Sequence, residues 1–107
     1  MSTFDDRERA EEAKYAHDSA LQFKIMNRRN KLLGLWAAEE MGLSGEDAQA
    51  YAKEVVKADF EEAGEEDVFR KVSGDFSAKG VDKSEHQIRR TMQELLVKAR
   101  EQVANEG

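Results

Sequence analysis

Apolar residues recur along the chain at helical spacing and fall into four runs. Over about residues 19–41, Leu21, Ile25, Leu32, Leu35 and Trp36 mark one side of a helix, and Arg28 and Arg29 fall where that stripe is interrupted. Asp18 or Ser19 is placed to cap it, and Gln22 completes a capping box with Ser19. A second run opens at Ser44, with Asp47 three residues on, and continues through Ala48, Tyr51, Ala52, Val55, Val56 and Phe60 to a stop near Gly64. The third starts near Glu65 with Val68, Phe69, Val72 and Phe76 as its stripe. Three acids occupy its first turn, where the helix dipole favours them, and Gly80 ends it. The fourth begins at Asp82 or Ser84, each with a capping-box partner in Glu85 or Gln87, and carries Ile88, Met92, Leu95, Leu96, Ala99 and Val103. The predicted helices therefore cover about residues 19–41, 45–63, 65–79 and 83–105.

Strands have little support, because β-branched residues are few and no alternating run or Asn-Gly turn occurs. Short glycine-bearing connections at 42–45, around 64 and at 80–82 turn neighbouring helices back on one another, which predicts an all-α four-helix bundle. Gly34 and Gly74 lie inside predicted helices, at a cost of about 1 kcal/mol each against alanine, so each marks close packing, a kink or a boundary.

Residues 1–18 are helix-competent yet have little to bury. Thr3 can cap, Asp5 and Asp6 suit a first turn, and Asp5 with Arg9 and Arg7 with Glu11 form i,i+4 ion pairs of roughly 0.2–0.5 kcal/mol each. The large apolar groups are Met1, Phe4 and Tyr15 alone. So short and charged a helix is marginal in water, and the segment is expected to be disordered or frayed when the protein is free. It is either a solvating tail that extends helix one or a segment that folds on binding, at an ordering cost of about 2–5 kcal/mol.

Composition narrows the function classes. At 107 residues there is room for one core. Without cysteine there is no disulfide, thiolate metal site or thiol nucleophile, which fits a reducing compartment. No apolar run approaches the ~18 residues of a membrane span, and residues 1–14 are charged where a signal peptide is apolar. The expectation is a cytoplasmic, monomeric domain with no membrane insertion. The net charge of −6 also argues against a general nucleic-acid binder. That charge is uneven: residues 44–67 carry nine acids against two bases, whereas residues 19–43 and 68–107 each have an excess of two bases.

Catalytic chemistry is thin. His17 has no carboxylate four residues away, and His86 is flanked by Arg89 and Arg90, so neither offers a metal site. The acids between Asp59 and Asp67 do not have the spacing of a calcium loop, and neither glycine-rich phosphate motif is present. Two basic clusters remain: N-R-R-N-K at residues 27–31, with Arg28, Arg29 and Lys31, and Lys79, Lys83, Arg89 and Arg90 around the start of helix four. They either bind the phosphates of ATP or ADP weakly or simply answer the acidic stretch.

Three long stretches carry a resemblance. F-D-D-R-E-R-A-E-E-A-K-Y-A-H-D at residues 4–18, R-R-N-K-L-L-G-L-W-A-A at 28–38 and A-Y-A-K-E-V-V-K-A-D-F-E-E-A-G-E-E-D-V-F-R-K at 50–71 resemble the zeta subunit of the alpha-proteobacterial F-type ATP synthase. That family was first described as a domain of unknown function. The resemblance spans the chain nearly end to end, with helix four least distinctive. It implies an intrinsic inhibitor of ATP hydrolysis rather than an enzyme, held at the inner membrane through the synthase. Its implied partners are the alpha, beta and gamma subunits of the catalytic head. The N-terminal segment enters a subunit interface there and blocks rotation in the hydrolysis direction, while the bundle stays outside. Carried onto this sequence, the inhibitory residues are Phe4, Asp5, Asp6, Arg7, Glu8, Arg9, Lys14 and Tyr15. Phe4 and Tyr15 suit buried contact, and Arg7 and Arg9 suit charge-assisted bonds. The alternative kept open is an adenine-nucleotide-sensing helical module.

Overall fold

The computed structural model describes residues 3–59 and 65–106; within the first helix the side chains of residues 3–18 lie outside that description. Four helices follow one another: α1 (Thr3–Glu40), α2 (Gly45–Ala58), α3 (Glu66–Lys79) and α4 (Glu85–Glu106). No strand occurs among the described residues, so the fold is all-α.

The boundaries differ from the predicted ones in instructive ways. α1 continues unbroken through Ser19, so Ser19 with Gln22 is an interior pair and not a start. With no proline and no glycine before Gly34, and with Ala10, Ala13, Ala16 and Ala20 spaced along it, nothing in that stretch breaks a helix. α2 ends at Ala58, and Phe60 and Gly64, which belong to its predicted end, lie outside the described residues. Its first residue is where the sequence puts it, after an extended Ser44, but the Ser44 side chain makes no capping bond. For α4 the Ser84 box is the one that forms. The Ser84 N–H donates to Gln87 Oε1 at 2.9 Å and the Gln87 N–H donates to Ser84 Oγ at 3.1 Å. Gly80 ends α3 in the left-handed region at φ 72°, which lets the Val81 N–H reach back to the Phe76 carbonyl at 2.8 Å.

The main core joins Leu33, Ala37 and Ala38 of α1, Tyr51 and Val55 of α2, Val68, Phe69, Val72 and Phe76 of α3, and Ile88 and Met92 of α4. Trp36 stands edge-on to Phe76, with ring centroids 5.5 Å apart. A smaller cluster, Ile25 with Ala99 and Val103, fastens α1 to the far end of α4. The buried face of α1 is thus rotated from the predicted stripe: Leu33 and Ala37 are buried, Leu35 and Trp36 are half-buried, and Leu21 is exposed. α1 and α4 run antiparallel, since Lys83 pairs with Glu40 at one end (3.6 Å) and Lys24 with Glu106 at the other (3.7 Å).

Candidate functional site

Glu106 marks the level at which α1 leaves its antiparallel neighbour. Its carboxylate meets Lys24 and Arg28, and α4 ends there. From Lys24 back to Thr3, α1 runs on for about 30 Å at the 1.5 Å rise of an α-helix, which accounts for the 65 × 25 × 20 Å extents of the molecule. Phe4, Asp5, Asp6, Arg7, Glu8, Arg9, Lys14 and Tyr15 are all carried on this length of helical backbone, and their side chains lie outside the described residues. The same helix therefore has its root in the core and the predicted contact residues toward its tip.

The root is fixed by packing and by charge. Ile25 sits against Ala99 and Val103, with Leu32 and Leu96 alongside. Arg28 Nη1 donates to Gln102 Oε1 at 3.0 Å, and its hydrogen bond to Glu106, reinforced by the charges of Arg28 and Lys24, holds that carboxyl below the usual range.

One turn further in, Arg29 is wholly buried in the row Ile25, Arg29, Leu33, Ala37. Its Nε donates to Asn30 Oδ1 at 2.7 Å and its Nη1 to Glu65 Oε1 at 3.0 Å, while Nη2 makes no hydrogen bond. Near it is Asp59 at the end of α2, which in turn feels the buried Asp67 in the first turn of α3. Burial pushes the Asp59 carboxyl up, the Asn30 side chain and Arg29 oppose that rise, and Asp67 and Glu65 add to it. Arg29 thus ties α1 to the junction between α2 and α3. It is an internal counter-ion to Glu65 of the acidic stretch, the second of the two readings its sequence context leaves open.

Three of the other predicted cations are similarly engaged. Lys83 pairs with Glu40. Arg89 pairs with Glu66 at 3.0 Å and lies over the Phe69 ring at 4.1 Å, and Arg90 pairs with Glu94 at 3.2 Å. Glu54, Glu65 and Glu66 of the acidic stretch are answered by Lys71, Arg29 and Arg89, so part of that stretch is neutralised by the basic segments flanking it. Among the described residues, Lys31 is exposed and enters no ion pair. No group of three or more His, Asp or Glu residues suited to a metal ion occurs among the described residues. Nor is any of their helices long and apolar enough to cross a membrane.

Comparison with known proteins gives the family. No curated protein matches the chain. A protein structure solved by NMR in solution is 53% identical, spans 81% of this chain with 99% of its own length covered, and superposes with a TM-score of 0.73. The protein-family model for ATPase inhibitor subunit zeta matches residues 1–102, so this chain, nearly end to end, belongs to the ATPase inhibitor subunit zeta family and has an ATPase-inhibitor role.

Proposed function

We propose that the chain inhibits ATP hydrolysis by the catalytic head of an F-type ATP synthase through residues 1–18, which enter an interface among the alpha, beta and gamma subunits and block rotation in the hydrolysis direction. The observation that carries this reading is the continuation of α1 about 30 Å past the end of α4, with the predicted contact residues along it. Phe4 and Tyr15 supply the apolar anchors, Arg7 and Arg9 bond carboxylates of the head, and Asp5, Asp6, Glu8 and Lys14 set the register by charge. The bundle remains outside and holds the segment at high effective concentration near its slot. Because α1 is rooted by Ile25, Arg28 and Arg29, torque on the inserted segment passes to the whole bundle and not to a loose tether.

An adenine-nucleotide-sensing role is the second reading. Five of its seven candidate cations, Arg28, Arg29, Lys83, Arg89 and Arg90, already answer carboxylates, which weakens it. Co-purification with the ATP synthase head tests the first reading. The full chain should be retained, and a chain lacking residues 1–18 should be retained much less. Equal retention of both would remove the segment from the interface.

A further inference from the structure

Of the lysines and arginines that enter no ion pair among the described residues, three gather at one place. Lys31 of α1 and Lys53 and Lys57 of α2 rim a groove of about 380 Å³ between the two helices, with Ala52, Val56 and Gln49 completing its lining. Ala52 is buried and Val56 half-buried, so the floor is apolar, while all three lysines are exposed. The groove exists because α1 and α2 meet closely at Gly34 and Ala52, beside Lys31 and Lys53.

The charge arrangement is unusual for this molecule. Lys53 and Lys57 are the two bases of the acidic stretch 44–67, and their i,i+4 spacing sets them on one face, where like charges disfavour each other. Lys31 has Asn27, Arg28, Gly34 and Leu35 at helical spacing, and Lys53 has Gln49, Ala50, Val56 and Lys57, so neither has a carboxylate within reach on its own helix. Among the described residues none of the three enters an ion pair, whereas Lys24, Arg28, Arg29, Lys71, Lys83 and Arg89 all do. Lys57 has Glu54 three residues before it, but that carboxylate is taken by Lys71, so among the described residues all three lysines stand without an ion pair around an apolar floor in a chain of net charge −6.

We infer that this groove docks an acidic helical segment of the ATPase head, its carboxylates meeting Lys31, Lys53 and Lys57 and its apolar side settling on Ala52 and Val56; this rests on the inhibitory reading above. A third helix laid between two is the natural filling of such a groove. Charge complementarity favours an acidic partner, and a second copy of this acidic chain meets overall repulsion. Lys31 lies about 40 Å along α1 from Thr3, so the groove gives the head a second, distant hold on the same rod and adds avidity to the inserted segment.

The test uses the full chain and the purified head. A chain carrying Lys31→Glu, Lys53→Glu and Lys57→Glu should need about tenfold more protein for half-maximal inhibition, with the same maximal inhibition because residues 1–18 are untouched and with a weaker dependence on salt. The Lys→Gln triple variant should fall between it and wild type. Helix content and Tm measured for both variants establish that the bundle is intact. Unchanged half-inhibition in both folded variants overturns the groove and leaves the inhibitory reading standing. A wild-type chain that neither binds nor inhibits overturns both. Loss of a dimer in sedimentation velocity with half-inhibition unchanged puts a second copy in the groove and overturns the assignment to the head.

Discussion

Gly34 brings α1 against Ala52 of α2 so closely that a methyl group built on it would stand 2.5 Å from the Ala52 Cα. That contact is with backbone, which cannot rotate away, and Ala52 Cβ and Val55 Cβ crowd the same position at 3.1 and 3.3 Å. Gly34→Ala should therefore destabilise the bundle by about 1–3 kcal/mol despite alanine's better helix propensity. Gly74, also inside a helix, has nothing within 4 Å of the same methyl and no positive φ, so Gly74→Ala should stabilise by about 0.4–1 kcal/mol. Denaturant unfolding of the two variants checks the opposite signs.

Phe76 fills the centre of the main core, almost wholly buried and edge-on to Trp36. Phe76→Ala should cost about 3–5 kcal/mol through the cavity it leaves. The single tryptophan reports on the site, so native Trp36 fluorescence should shift in the variant before any unfolding.

Arg29 is the cation that Glu65 pairs with and whose charge opposes the rise of the Asp59 carboxyl. Arg29→Met keeps the volume but removes that charge, and should cost about 3 kcal/mol at neutral pH. The Asp59 carboxyl is raised in the folded protein, and losing Arg29 raises it further. A raised carboxyl contributes stability that is present below its unfolded pKa and lost as pH rises through the folded one. The deficit of the variant should therefore shrink toward about pH 4 and widen toward neutrality, as unfolding measured across that window would record.

Tyr51 donates its hydroxyl to Asp75 Oδ2 at 2.7 Å, and burial first, then that bond and the charges of Asp75 and Glu54, push its phenol far above the ordinary 10.0. The stability this contributes is complete below pH 10.0 and is lost as pH climbs toward the folded value. Phenolate absorbance from Tyr51 should appear together with unfolding and not ahead of it. Tyr51→Phe should lose about 1 kcal/mol at neutral pH and with it this alkaline dependence.

The number and order of the helices were legible because each boundary signal is local: Ser84 with Gln87, Gly80, and the stripes of α3 and α4 lie within a few residues of what they determine. The fate of Arg29 was not. Its neighbours Ile25 and Leu33 mark a buried row, but its counter-charges come from Asp59 and Glu65, thirty or more residues away. Likewise Gly34 announces close packing without saying that Ala52 is the partner. The proposed inhibitory residues were legible only as a resemblance, since charge alternation with Phe4 and Tyr15 suits a solvated helix as well as a binding one.

The most direct measurement of the central claim is ATP hydrolysis by the purified head, titrated with the full chain and with a chain lacking residues 1–18. The full chain should suppress hydrolysis to a plateau, and the truncated chain, with helix content and Tm attesting a folded bundle, should leave the rate unchanged. Full suppression by the truncated chain would contradict the account.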